Sequence, residues 1–403
     1  MTSQDFNHAR QLLTRALPAL TPPERQWVAQ RLRGELGADL APSLPKVSQD
    51  SASTPGLNHL LVLDSCLRRL QQKGSIPGEG AANALFSQLL ALVDEVPVPV
   101  ARAGACVCLN VTRREVDAIE HLFRIWSLLM AGKHADPEAD LALVFDREDV
   151  ATFRQIQRVL AKYELARHFG KIQMIDVDLP ESENFYYRQQ SEVPGSRTFA
   201  YGWKSGPNQQ FFRLLRHPGL QGYAELLVVE TDCYPVSPDW MEQILADARG
   251  RPDFWVLGSP FRGRSKVGPD ILLHLNGVAV YRPDEPRFFS MLAQWETRLR
   301  NLCTTHPETA YDCAQELYFA QKLRAENWHS LTAEDVEDYY DYRRMFVMTD
   351  RIVNLAGEPE RQGVGRYTLA EAMTRFPQAR LFHANYLSEE VTRMAEAWAH
   401  DRS

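Results

Sequence analysis

Between residues 105 and 177 short apolar runs alternate with amphipathic stretches. ACVCLNV, Ala105 to Val111, reads as a strand, and Glu115 to Met130 as a helix. LALVF, Leu141 to Phe145, is a second strand, Asp149 to Phe169 a second helix, and Lys171 to Val177 a third strand. Apolar strands without polar alternation, separated by helices, predict a mostly parallel sheet covered on both faces. Such sheets take their ligands at the carboxyl ends of the strands.

The first third of the chain is helical in pattern. Thr21, Pro22 and Glu24 supply an N-cap, a proline at the first helical position and a capping-box acid, and Trp27, Val28 and Leu32 follow at helical spacing. From Gly37 to Gly56 the chain turns to Pro, Ser, Asp and Ala without periodicity, which reads as a linker. Two further helices are expected near Leu57–Leu70 and Ala81–Val93, and the Val-Pro-Val-Pro-Val run at 96–100 marks a boundary. The expected division is therefore a helical segment over 1–36, a linker over 37–56, a helical region over 57–97 and an α/β domain over 98–403.

Composition narrows the function. The chain has 403 residues, 44% hydrophobic and 24% charged, which is ordinary globular usage with room for two or three domains. With 45 basic and 52 acidic residues the net charge is -7, so no nucleic-acid partner is expected. No run approaches the roughly 18 apolar residues of a membrane span. Met1 to Arg10 leads into no apolar segment, so the expectation is a cytoplasmic chain, at most peripheral to the inner membrane. The six cysteines form no CxxC pair, and Cys106 and Cys108 share a strand face as core residues.

Two acid pairs follow apolar strands: Asp176 and Asp178 after KIQMI, and Glu230 and Asp232 after AELLVV. Two oxygen donors at a strand end suit Mg²⁺ or Mn²⁺ on a diphosphate, although acids often end strands simply as solvated residues. Context favours the second pair. Asp178 runs into Leu-Pro-Glu-Ser-Glu, and Pro180 stands where a haloacid-dehalogenase motif would want Thr or Val. Asp232 instead leads through Cys-Tyr-Pro235 to Ser237-Pro238, expected to cap and open a helix.

The run LLVVETDCYPVSPDW resembles the metal-binding DXD turn of GT-A glycosyltransferases, in a bacterial group with Glu-x-Asp there. Lys204-Ser-Gly-Pro-Asn208 upstream, and Gly258-Ser259-Pro-Phe-Arg262 and His274-Leu-Asn276-Gly277 downstream, are similar to the family's flanking motifs in order and spacing. The resemblance covers about Ala105 to Tyr386. It implies a GT-A (Rossmann-like) fold and transfer of a sugar from a nucleotide-sugar donor to a hydroxyl of a glycan or other acceptor, with Mn²⁺ or Mg²⁺. Asp232 is then the direct metal ligand, Glu230 a ligand through water or a contact to the ribose, and His383, ending the apolar strand Ala379–His383, a further ligand. Lys204, Asn208, Ser259 and Arg262 fall to the donor, and His274, Asn276 and Gly277 to the acceptor. Asp312, with Glu316 one turn on, is the expected catalytic carboxylate.

The residues by themselves leave other uses open. Lys204 beside a helix N-terminus suits a phosphate but is also an ordinary loop lysine. Asn208 either reads a sugar or base edge or caps its helix, Asp312 is also an N-cap candidate, and Gly277 lets the backbone approach a ligand closely, although Asn276-Gly277 also suits a plain turn. Arg262, Gly263, Arg264, Lys266 and Gly268 form a basic loop that suits a diphosphate or solvent. The acidic run 334–341 reads as solvated. A catalytically inactive GT-A-like binding or scaffold protein is the alternative function. A sugar-nucleotide pyrophosphorylase is set aside because Asn110-Val-Thr-Arg-Arg114 lacks the Gly-rich loop it needs. Replacing Asp232 is expected to change stability little, as a strand-end acid has few packing contacts.

The helices before Pro97 carry none of these motifs and are expected to serve homo-oligomerisation or acceptor docking. A folded truncation beginning after Pro97 should still bind nucleotide sugar, and loss of that binding would overturn the division.

Overall fold

A computed structural model describes residues 102–112, 115–131, 139–147, 149–187, 190–193, 199–251, 253–265, 274–285, 287–315, 343–355 and 365–401. All lie within one compact unit, Ala101–Ser403. The helices and linker expected over 1–97, and the candidate Glu316, lie outside the described residues.

The first five elements follow the apolar pattern: β1 (Arg102–Val111), α1 (Val116–Met130), β2 (Ala139–Phe145), α2 (Val150–Lys162) and β3 (Ile172–Asp176). The second helix is shorter than its pattern. Glu164 takes a left-handed φ of 50° and the chain then makes a single 3₁₀ turn, Leu165–His168. That break returns Leu165 and Phe169 to the core.

Next come α3 (Ser205–Arg216), β4 (Tyr223–Val229), β5 (Cys233–Pro235), α4 (Trp240–Arg249) and β6 (Val256–Gly258). Ser237 does not cap α4; Trp240 N donates to the Ser237 carbonyl at 3.3 Å, so Ser237 to Trp240 is a turn and the helix starts after it. The chain continues through β7 (Ala279–Tyr281), α5 (Phe288–Cys303), β8 (Phe346–Met348), β9 (Ile352–Asn354), α6 (Leu369–Arg375), β10 (Leu381–His383) and α7 (Ser388–His400).

The main sheet has the order β3-β2-β1-β4-β7-β6-β8. β3, β2, β1 and β4 run parallel, as do β6 and β8; β7 alone opposes its neighbours β4 and β6. This is the mixed, mostly parallel, helix-flanked α/β sheet that the pattern predicts. Side chains alternate across β1: Val107 and Leu109 join one core layer, Cys106 and Cys108 the other. The chain builds outward from β1 to β2 and β3, then crosses back to β4 on the other flank. The order therefore reverses between β1 and β4, and their carboxyl ends frame the crevice where such sheets bind ligands. A second sheet, β5-β10-β9, begins directly after β4 and pairs β10 antiparallel to β5 and parallel to β9.

Trp126 of α1 is fully buried, its ring 5.2 to 6.0 Å from those of Phe123, Phe169 and Trp240. Trp126→Ala should cost about 3–5 kcal/mol in denaturant unfolding. Trp126→Phe should cost much less, because the indole N–H has no partner among the described residues.

Candidate functional site

β4 gives way to Glu230, Thr231 and Asp232, and the turn is closed by Cys233 N donating to the Glu230 carbonyl at 3.1 Å. β5 follows at once, and its pairing with β10 sets Cys233 opposite His383. Ala384 N donates to the Asp232 carbonyl at 3.0 Å, extending that ladder onto the turn. The result places His383 Nε2 3.2 Å from Asp232 Oδ1 and 3.4 Å from Glu230 Oε2. The histidine side chain is 6% exposed, against 36% for Glu230 and 31% for Asp232. The imidazole is thus the floor and the carboxylates open to solvent.

Charge follows from this geometry. Burial alone would discharge His383, but the facing Asp232 carboxylate, with Glu230, raises its pKa to about 10. Burial likewise disfavours the Asp232 charge, and the imidazolium overrides it, holding Asp232 below the usual carboxylate range. At neutral pH Asp232 and His383 are therefore an ion pair, with Glu230 beside them. The expectation that Asp232 can be replaced at little cost to stability is therefore corrected: it partners a buried cation.

Two carboxylate oxygens and an imidazole nitrogen are a donor set that fits Mn²⁺ or Mg²⁺. Cys233 Sγ is also near Asp232 and His383, but burial and the charges of Asp232 and Glu230 push its thiol well above its ordinary value, and it accepts from Glu230 N at 3.3 Å. Without a metal it is therefore a neutral thiol.

A second cluster adjoins the first. Asp312 Oδ2 lies 3.4 Å from His274 Nε2 and accepts from Asn276 Nδ2 at 3.2 Å, while Asp312 Oδ1 accepts from Cys313 N at 3.0 Å. Burial acts against the Asp312 charge, yet His274, with help from Lys204, lowers its pKa to about 2. The clusters are bridged by Tyr311, whose hydroxyl donates to Glu230 Oε1 at 3.4 Å. Burial, then the charges of Glu230 and Asp312, keep that phenol protonated.

Most of the remaining expected residues bond within the protein. Asn208 is buried; its amide donates to the carbonyls of Tyr201 at 2.9 Å and Thr309 at 3.1 Å, and its oxygen accepts from Tyr311 N at 2.8 Å. It neither caps α3 nor faces a donor; it staples the Thr309–Tyr311 segment to the helix. Ser259 is fully buried, donates to the Pro260 carbonyl at 2.9 Å and accepts from Asn354 N at 3.3 Å, tying β6 to β9. Arg262 pairs with Asp350 at 2.6 Å and Arg264 with Glu371 at 3.1 Å, so the described arginines of the basic loop are neutralised within the protein. Gly277 does allow a close approach, but by Tyr311: a Cβ there would lie 1.8 Å from its Oη. Lys204 is half-buried immediately before α3, where only backbone, not its side chain, caps the helix. Asp176 accepts from Asp178 N at 2.7 Å and Asp178 has a φ of 48°, so the first acid pair is a local turn.

Glu115 is a site residue the sequence reading missed. It stands before α1, at the carboxyl end of β1, and accepts from Thr112 Oγ1 at 2.6 Å and Thr231 Oγ1 at 3.2 Å. Burial chiefly, with the Glu230 charge adding, raises its pKa. Its position just after the first strand is the one sequence signal that marks it.

No family model matches the chain, and no curated protein matches it. Solved structures similar to it include the following three. Mouse xyloside xylosyltransferase 1, apo form, is 11% identical, over 70% of this chain and 98% of that one, with a TM-score of 0.42. The glycosyltransferase GlyE of Streptococcus pneumoniae TIGR4 is 10% identical over 74% and 63%, at 0.33. S. aureus TarS 1-349 is 11% identical over 59% and 78%, at 0.30. These are distant likenesses, and the chemistry rests on this chain's own residues. Among the described residues no helix is long and apolar enough to cross a membrane.

The ion pair makes metal-free stability depend on pH. The folded pKa of His383, about 10, lies above its unfolded value of roughly 6.5. Its contribution is therefore complete below about pH 6.5 and is lost as pH rises through about 10. In EDTA, the melting-temperature gap between wild type and His383→Gln should be widest near pH 6 and close toward pH 10.

Proposed function

We propose that the chain is a metal-dependent glycosyltransferase that moves a sugar from a nucleotide-diphosphate donor to a hydroxyl of a glycan or other acceptor. The observation that carries this reading is the placement of two solvent-facing carboxylates over a buried histidine at the point where the strand order reverses. That crevice takes ligands in sheets of this kind, and its charges are arranged to hold a cation rather than an anion. Asp232, Glu230 and His383 would hold Mn²⁺ or Mg²⁺. Bound there, such an ion supplies neutralisation for a diphosphate as it leaves.

The protein's own groups do the rest. In the transfer the bond from the anomeric carbon to the diphosphate oxygen breaks, a bond from that carbon to the acceptor oxygen forms, and the acceptor hydroxyl's proton passes, directly or through water, to the leaving diphosphate. Lys204, before α3, supplies a positive charge on the side of Asp312. His274, with help from Lys204, holds the Asp312 carboxyl well below the usual carboxylate range, so it is ionised at neutral pH. The role of Asp312 in this reading is a fixed negative charge that orients His274 and Asn276, which face the acceptor.

The test is a donor-hydrolysis and transfer screen over UDP-, GDP- and CDP-sugars, with and without Mn²⁺. Asp232→Asn should lower the metal-dependent rate by ~100- to 1000-fold, or roughly 3–4 kcal/mol, and Glu230→Gln by less. Asp176→Asn and Asp178→Asn should stay within a few fold of wild type. Turnover of no sugar nucleotide, or wild-type turnover by Asp232→Asn, would sink the reading.

A further inference from the structure

Tyr311 is held at every point except its hydroxyl. Its N–H donates to Asn208 Oδ1 at 2.8 Å and its carbonyl accepts from Trp295 Nε1 at 2.6 Å. Its ring stacks on Phe211 with centroids 4.0 Å apart and planes 16° from parallel. The opposite approach is open only because residue 277 has no side chain, since a Cβ there would meet Tyr311 Oη at 1.8 Å. Gly277 is fixed in turn by Tyr281, whose hydroxyl donates to its carbonyl at 2.9 Å. A phenol so confined presents its O–H in one place, and what it meets there is Glu230 Oε1.

The neighbouring residues repeat the arrangement. Asp312 follows Tyr311 and is gripped by His274 and Asn276; Gly277 follows Asn276 and admits Tyr311. The segment His274–Gly277 therefore holds the corner Tyr311–Asp312 from one side while Asn208 and Trp295 hold it from the other. One residue of that corner touches the acid turn after β4, and the next carries the second charged cluster.

We infer that Tyr311 is a positioning residue for the metal-binding carboxylate Glu230, and that Gly277 is glycine in order to admit it. Glu230 is the more exposed of the two acids, 36% against 31%, and lies farther from His383. A glutamate also has one more rotatable bond than an aspartate, so an orienting bond restricts it more. Tyr311 fixes its Oε1 and leaves Oε2 toward His383. The inference deepens the function proposed above and rests on it for the metal, but the bond between Tyr311 and Glu230 exists without one.

Four proteins test it: wild type, Tyr311→Phe, Glu230→Gln and the double variant, each measured by thermal unfolding in EDTA and by calorimetric titration with Mn²⁺ alone. At 3.4 Å the bond is long, so Tyr311→Phe should weaken Mn²⁺ binding modestly, by about 5-fold. The effect should vanish in the Glu230→Gln background, where the oriented charge is gone. Gly277→Ala, which displaces the phenol, should weaken Mn²⁺ binding at least as much while also lowering the melting temperature. Equal weakening by Tyr311→Phe in both backgrounds, or none in either, overturns the inference; the former marks a packing residue only. Should wild type bind no Mn²⁺, the glycosyltransferase reading loses its metal and the EDTA melts decide this one. Non-additive shifts for Tyr311→Phe and Glu230→Gln then uphold the positioning contact, and additive shifts overturn it.

Discussion

Two carboxylates at the end of one buried strand repel each other and need a cation within a few ångströms. In this chain the resting cation is a histidine from far along the sequence, and much of the second half is arranged to deliver it. His383 reaches Asp232 and Glu230 because β10 pairs with both β5 and β9, a three-residue ladder on each side. β5 starts directly after the acid turn, so ladder and turn are one continuous structure. The same imidazole that costs free energy to bury is kept charged by the acids it neutralises, and each group explains the state of the others.

This arrangement has a chemical consequence. In the proposed function, His383 would have to give up a proton before its Nε2 could serve a metal as a ligand. On that reading, proton and divalent cation would compete for one place, with the imidazolium as the charge that faces the two acids without metal. The contacts with His383 hold the two acids at the crevice between β1 and β4, where the proposed ion would need little rearrangement.

Much of the fold was legible because its central strands are apolar on both faces and alternate with amphipathic helices, a pattern that suits a covered, mostly parallel sheet. Direction in the other half was not. β6, β7 and β8 are three residues each, too short for any periodicity, so nothing in the sequence marks β7 as reversed. Local geometry also decided where helices stop: the left-handed Glu164 ends α2 before the apolar pattern does. Within the site, the acid turn and the strand-end histidine stood out because each carries its signal in adjacent residues. Glu115 and Tyr311 did not, since their significance lies in contacts between distant segments. The motif glycine illustrates the difference. Gly277 was legible as a place of close approach, but that the approaching group is a tyrosine of the same chain is a fact of tertiary structure.

Asn208 carries the same lesson further. Its position opening a helix after Gly-Pro suits a ligand contact or a cap, yet its amide bonds to Tyr201, Thr309 and Tyr311 of its own chain. Were that amide free to bind a ligand, the backbone N–H of Tyr311 and the carbonyl of Thr309 would lose their buried partners, and Tyr311 would lose the anchor that aims its hydroxyl. A side chain that touches no substrate thus bears on the site through two successive contacts, Asn208 to Tyr311 and Tyr311 to Glu230. The site is therefore better described as a rigid corner of buried polar bonds that fixes two exposed carboxylates than as a set of independent contacts to a ligand, and its accuracy depends on groups that a motif assigns to binding.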